Sequence, residues 1–190
     1  EFISTPYDLE SIDVLEKLKV KTYKVASADI NDYLLHKKLS RLNKLVIIST
    51  GMSNIQDIKK AVSLYKKNNI ELLHCVSSYP CPNNQINLPR LGWLSSLSKN
   101  IGLSDHTRST IIPALSIAYG VTVIEKHFTT DNKLPGRDNE NALEPSEFKI
   151  MTDNILEAMD STTFCGNSYQ DIESDTVENY RGRWEPHDYE

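Results

Sequence analysis

Leu45-Val-Ile-Ile-Ser-Thr-Gly51 is a run of four apolar residues that ends abruptly on two hydroxyls and a glycine. No polar residue alternates within it. That is the pattern of a strand covered on both faces, as in a parallel sheet sandwiched by helices. The next residues have the opposite rhythm. Ser53-Asn-Ile-Gln56 predicts a capping box, and Ile55, Ile58, Val62 and Tyr65 recur at helical spacing. Lys66 and Lys67 come at the end of that helix, where its dipole favours cations. Strand, polar end and helix make one βα unit.

The same unit repeats on either side. Upstream, residues 1–5 predict a short strand, Pro6 breaks it, and Asp8 caps a helix carrying Leu9, Ile12, Leu15 and Leu18. A second strand, 22–27, precedes a helix over 33–42. Downstream, strand 72–76 leads into a loop, Ser77-Ser-Tyr-Pro-Cys-Pro82, stiffened by two prolines, and then a helix over 88–97. Strand 101–106 is followed by a helix over 111–119 that Gly120 stops. Strand 121–127 opens into a polar loop holding Asp131, Arg137 and Asp138, turned by Pro135-Gly136. Glu144-Pro-Ser-Glu147 then starts a helix through Ile150, Ile155 and Met159. Six βα units in a row predict a parallel α/β sheet with right-handed crossovers. Two architectures fit, an open doubly wound sheet and an incomplete (β/α) TIM barrel. No GxGxxG or P-loop pattern marks the nucleotide-binding open sheets. A full barrel takes about 250 residues, and six units fall two short of its eight. Residues 160–190 turn polar and predict a tail or linker. Its Tyr180-Arg-Gly-Arg-Trp184 cluster is expected to pack as an arm on the domain surface.

Composition narrows the function. The chain has 190 residues, a net charge of −5 and 39% hydrophobic residues, enough for one globular core. The acidic balance argues against nucleic acid as a partner. No apolar run reaches bilayer-spanning length. No charged segment followed by an apolar stretch signals secretion. Cys75, Cys81 and Cys165 are an odd number without zinc spacing, so a reduced, cytoplasmic setting is expected. The chain begins at Glu1, inside a predicted strand, which is expected of a fragment of something longer.

Thr5, Ser27, Thr50, Ser77, Ser104, His106 and His127 all follow strands. In a parallel sheet those ends converge on one face, with neighbouring strands about 4.8 Å apart. His106 and His127 end consecutive strands. One divalent cation could bridge them and keep its other positions for water and substrate oxygens. The plain alternative is two histidines each satisfied by an ordinary hydrogen bond. Lys24 lies inside a strand, a costly place for an ammonium unless an anion meets it. With Thr5, Ser27 and Ser104 it would make a site for phosphate or carboxylate. Alternatively it snorkels, or pairs with Asp29 or Glu125.

Taken together, Phe2-Ile-Ser-Thr-Pro6, Tyr23-Lys-Val-Ala-Ser27, Ser49-Thr-Gly-Met52, Leu73-His-Cys75 with Tyr79-Pro80, Gly102-Leu-Ser-Asp-His-Thr107 and Ile124-Glu-Lys-His-Phe-Thr129 carry a resemblance. Pro135-Gly136, Asp138 and Leu143-Glu-Pro145 extend it. Over about residues 1–159 the chain resembles the N-acetylneuraminate (sialic acid) synthases that use phosphoenolpyruvate. The resemblance implies a TIM barrel of which strands three to eight are present, followed by a polar tail at 160–190 in place of the family's antifreeze-like domain. It implies that His106 and His127 bind a divalent metal, manganese first, with magnesium or cobalt as alternatives. Thr5, Lys24, Ser27 and Ser104 would hold phosphoenolpyruvate, while Asp29, Tyr79 and Asp138 would surround an N-acetylated amino sugar such as N-acetylmannosamine. The products would be a nonulosonic acid and phosphate, made by a homodimer in the complete protein. Three positions depart from the family: Asp29 stands where a glutamate is usual, Ser77 where some members carry asparagine, and Cys81 where threonine is usual. The missing first two strands would carry a carboxylate and a further lysine. A non-catalytic barrel relative that binds an acidic ligand, and a metal-dependent pyruvate aldolase, are the competing readings. The Lys24, Ser27 and Ser104 set favours phosphoenolpyruvate over free pyruvate.

Overall fold

Asp8, Asp32 and Asn54 each start a helix in the same way, by accepting backbone N–H bonds from the first helical turn. The structure, a computed structural model, describes residues 1–66 and 69–182. Its order is β1 (Ile3–Ser4), α1 (Leu9–Lys17), β2 (Thr22–Val25), α2 (Tyr33–Arg41), β3 (Leu45–Ser49), α3 (Ile55–Ser63) and β4 (Ile70–Cys75). Then come α4 (Arg90–Leu94), β5 (Ile101–Asp105), α5 (Ile112–Ile117), β6 (Val123–Lys126), α6 (Pro145–Ser161) and α7 (Ser174–Tyr180). The helix after β3 is capped one residue later than the sequence predicts. Asn54 takes the Asp57 N–H, while Ser53 bonds back to the Gly51 carbonyl. Lys67, Arg183 and Trp184 lie outside the described residues.

All six strands are parallel and pair in chain order, β1 through β6. A doubly wound sheet reverses its strand order at a switch point, and this one never does. The sheet also curls. β2 and β6 are four strand spacings apart, which is about 19 Å in a flat sheet. Yet Lys24 Nζ on β2 lies 3.0 Å from Glu125 Oε2 on β6. Contact across that gap requires an arc, so the fold is an incomplete α/β barrel.

Strand residues alternate between two jobs. Tyr23, Val25, Val46, Ile48, Ile70, Leu72 and Leu103 face outward and form one core with Ile12, Leu35, Leu39, Ile58, Leu91 and Leu94 of the helices. Lys24, Ser49, Cys75, Ser104 and Glu125 face inward and line a cleft. Below that polar layer the interior is filled by side chains. A Cβ on Gly102 would sit 2.3 Å from Leu73 Cδ2 and 2.6 Å from the Val123 carbonyl oxygen. Not every predicted apolar stripe is buried. Leu9 and Leu18 of the first helix, and Ile150 and Met159 of α6, are exposed. Beyond α6, the short helix α7 leaves most of its side chains in solvent.

Gly102→Ala should therefore destabilise the chain by about 1–3 kcal/mol through overpacking. A thermal melt monitored by circular dichroism checks this, and an unchanged melting temperature would contradict the filled interior.

Candidate active site

The inward residues near the strand ends bound a cleft of about 220 Å³. Lys24 enters from β2, only 13% exposed at its side chain, and both its contacts run to Glu125, at 3.0 and 3.2 Å. An ammonium has three protons, so one at least remains for a ligand. Glu125 also accepts the Ser104 hydroxyl at 2.6 Å. The floor is Cys75, with Ser27 Oγ at 3.6 Å and Ser77 Oγ at 3.8 Å. Ser27 in turn accepts the Gly51 N–H at 3.0 Å. A Cβ at Gly51 would lie 2.4 Å from Ser77 Oγ and 2.8 Å from Ser27 Oγ, so only glycine lets that backbone come so close.

Beside this cleft a smaller one, about 90 Å³, is lined by Ser104, His106, Glu125, Lys126 and His127. The two imidazole rings lie 5.5 Å apart, centroid to centroid. Tyr79 covers both, 4.1 Å from the His106 ring and 5.8 Å from the His127 ring. His106 Nδ1 is 2.8 Å from the Val76 carbonyl oxygen. A carbonyl only accepts, so Nδ1 carries the proton and the Nε2 lone pair is free on the other side of the ring. Ser104 Oγ, at 3.4 Å, is the only protein group near that nitrogen among the described hydrogen bonds. Such a pair fits a divalent cation that keeps open positions. No group of three His, Cys, Asp or Glu side chains gathers as a fuller metal shell among the described residues.

The electrostatics separate the two rings. Burial pulls the His106 pKa down, but contact with Cys75, the Val76 carbonyl and the Glu125 charge outweigh it, so the net shift is upward. His127 is lowered, first by burial, with the Asp138 charge opposing and His106 adding to the depression. For Glu125, burial works against the charge, while Lys24 and Ser104 outweigh it and hold the carboxylate below its ordinary range.

Of the residues predicted from sequence, Lys24, Ser27, Ser77, Tyr79, Ser104 and His106 line the larger cleft together, and His127 lines the smaller one next to it. Thr5 follows β1 and lines a separate groove with Pro6, Asp8 and Ser11. Asp29 sits in the turn after β2, lining neither cleft. Its Oδ2 is buried without a hydrogen-bond partner, and its pKa is raised by burial and then by Asp32. Asp138 is exposed on the loop after β6, close enough to raise the Tyr79 pKa behind burial and Cys75. Thr50 is buried and gives its hydroxyl to the Leu73 carbonyl. Six residues lining the larger cleft were not among the predicted site residues: Ala26, Ala28, Ser49, Met52, Cys75 and Glu125. Ser49 Oγ is buried with no partner, an unused donor at the cleft wall. The signal for Glu125 was its period-two alternation with His127. Lys24 does pair with Glu125, one of the two partners open to it, and the pair lies in the cleft itself.

The sequence profile of the NeuB family matches residues 1–165. The chain belongs to the NeuB family. An N,N'-diacetyllegionaminic acid synthase of Campylobacter jejuni is 43% identical over 160 residues, covering 81% of this chain and 48% of that protein. An N-acetylneuraminic acid (sialic acid) synthetase of Leptospira borgpetersenii, solved as a crystal structure with citrate, superposes with a TM-score of 0.86 at 33% identity. That match covers 96% of this chain and 65% of that one. A truncated 3-deoxy-D-arabino-heptulosonate 7-phosphate synthase of Thermotoga maritima, 13% identical, covers 84% of this chain and 65% of its own with a TM-score of 0.71, a likeness of fold alone. This NeuB-family chain spans about half the length of the curated relatives it matches. No helix among its described residues is long and apolar enough to cross a membrane.

In the metal-free NeuB-family chain, His106 should titrate above the ordinary histidine range and His127 below it. As pH falls from neutrality, His106 then protonates first. Histidine ring signals in an NMR pH titration check the order, and the reverse order would overturn these assignments.

Proposed function

We propose that this chain forms the catalytic face of an enzyme that condenses phosphoenolpyruvate with an N-acetylated amino sugar, giving a nonulosonic acid and inorganic phosphate. The observation that carries the reading is the pair of imidazoles 5.5 Å apart beside a cleft holding Lys24, Ser27 and Ser104. Relatives named as legionaminic, pseudaminic and N-acetylneuraminate-9-phosphate synthases support the substrate class.

In this reading Lys24, Ser27 and Ser49 bind the anionic groups of phosphoenolpyruvate with charge-assisted hydrogen bonds. Glu125 anchors Lys24, so the ammonium is aimed before the ligand arrives, a preorganised arrangement, and Ser104, whose single proton goes to Glu125, holds that carboxylate in place. Lys24 and Glu125 cancel in charge, so the phosphate and carboxylate require further positive charge from elsewhere. His106 and His127 would hold a divalent ion, manganese first, with magnesium or cobalt as alternatives. Bound there, it would draw electron density from the sugar aldehyde oxygen. Tyr79 lies over the His106 ring and meets the His127 ring edge-on, and with Asp138 it would position the sugar. Both acetylated mannosamine and diacetylated sugars are candidates, and two relatives named as N,N'-diacetyllegionaminic acid synthases favour the second.

His106→Ala and His127→Ala should each abolish Mn²⁺ binding to the chain in titration calorimetry. Unchanged affinity in either variant would remove the metal assignment. Lys24→Ala should raise the Michaelis constant for phosphoenolpyruvate about tenfold to a hundredfold, from a lost charged hydrogen bond of about 1.5–3 kcal/mol. Phosphate release with a panel of mono- and diacetylated sugars reads this out in the protein that carries this chain. An unaltered constant and turnover would mean that the anion sits elsewhere.

A further inference from the structure

Behind the two histidines, on the outward face of the same strands, sits a buried ion pair that the proposed chemistry does not use. Lys126 Nζ lies 2.6 Å from Asp105 Oδ2, with side-chain exposures of 2% and 0%. Asp105 and Lys126 are register partners on β5 and β6, and each immediately precedes one of the two histidines. Both ends are fully used. The ammonium also donates to the Thr107 carbonyl and, at 3.3 Å, to the Ser109 carbonyl. The carboxylate accepts the Thr107 N–H at 2.9 Å and its hydroxyl at 3.0 Å. Residues 105 and 107, on both flanks of His106, are thus tied to the residue that precedes His127.

A buried pair of this kind is weak evidence for stability. Apolar residues of similar volume often do as well or better, because two desolvated charges must first be offset. What an apolar contact lacks is direction. Three acceptors around one ammonium fix its position to within hydrogen-bond tolerance, and with it the offset between the ends of β5 and β6. Resting on the reading of His106 and His127 as metal ligands, we propose that Asp105 and Lys126 are positioning residues. Their buried pair sets the spacing and orientation of the two imidazoles, acting through backbone, with neither side chain a ligand to the metal.

The test replaces both charges at once, Asp105→Leu with Lys126→Met, so that no buried charge is left unpaired and the chain can still fold. Three readouts on the full chain are compared with the parent: the melting temperature, Mn²⁺ affinity by titration calorimetry, and the His106–His127 ring resonances and contacts by NMR without metal. The expected result is a single cooperative melt, at a temperature lowered by the Thr107 and Ser109 groups that lose their partners. Mn²⁺ affinity should be weakened about tenfold to a hundredfold, as for other residues that orient metal ligands. The ring-to-ring contacts should be lost or split among several orientations. A double variant with parental Mn²⁺ affinity and one parental ring arrangement would overturn the proposal and leave the pair a purely structural contact. If the parent itself binds no Mn²⁺, the metal reading falls. The NMR comparison then still decides the positioning role, since dispersed rings support it and unchanged rings refute it.

Discussion

One ammonium–carboxylate contact closes the arc. Lys24 and Glu125 stand on strands with three others between them, and their 3.0 Å approach exists only because the sheet is bent. Each strand contributes to the curvature through its ordinary right-handed twist, and the outward helices hold it by burying Tyr23, Ile48, Leu72 and Leu103 beneath them. Flatten the sheet and the cleft does not merely widen. Ser104 loses the carboxylate that orients it, and Lys24 is left as an uncompensated charge in a largely buried position.

The histidines show how one residue type is put to different uses. His36 is fully buried with both nitrogens engaged, Nδ1 with the Tyr65 hydroxyl at 2.7 Å and Nε2 with the Ile30 carbonyl oxygen at 3.0 Å. It knits the helix after β2 to the next unit and has nothing left to offer a ligand. His74 faces the helices and spends Nε2 on the Ile86 carbonyl. His106 also bonds a carbonyl, through Nδ1, but its Nε2 meets no carbonyl, only Ser104 Oγ at 3.4 Å among the described hydrogen bonds. The difference lies in which strand face the ring leaves from, a matter of odd and even positions along β4 and β5.

That parity explains what could be read in advance. The apolar run at residues 45–48 and its repeats along the chain gave six strands in order, and strand parity placed Ser104 and His106 on one wall. The cap at Asp8 follows from local chemistry alone, whereas the one at Asp32 came only with the structure. The helix after Ile86 was harder. Its leucines predict ten residues, but Asn87 takes a left-handed backbone conformation and Pro89 has no N–H to give, so regular α-helix runs only from Arg90 to Leu94. The partner of Lys24 could not be chosen from sequence either. Asp29 is five residues away along the chain and Glu125 is 101 away, and only the bend of the sheet decides for the distant one. Thr5 looked equivalent to the other strand-end hydroxyls, yet β1 forms one edge of the arc and its end opens onto a different groove.

The loop after β4 is fastened to the histidine it shelters. Cys81 gives its backbone N–H to the His106 carbonyl at 2.9 Å, while the His106 ring gives its own proton to Val76 at the start of that loop. Tyr79 lies between the two attachment points. Roof and ring are therefore a single rigid jaw, unable to part without breaking two hydrogen bonds. The segment from Asp131 to Asn141, after β6, is fastened separately, by its own turns and by the amides of Asn132 and Asn139.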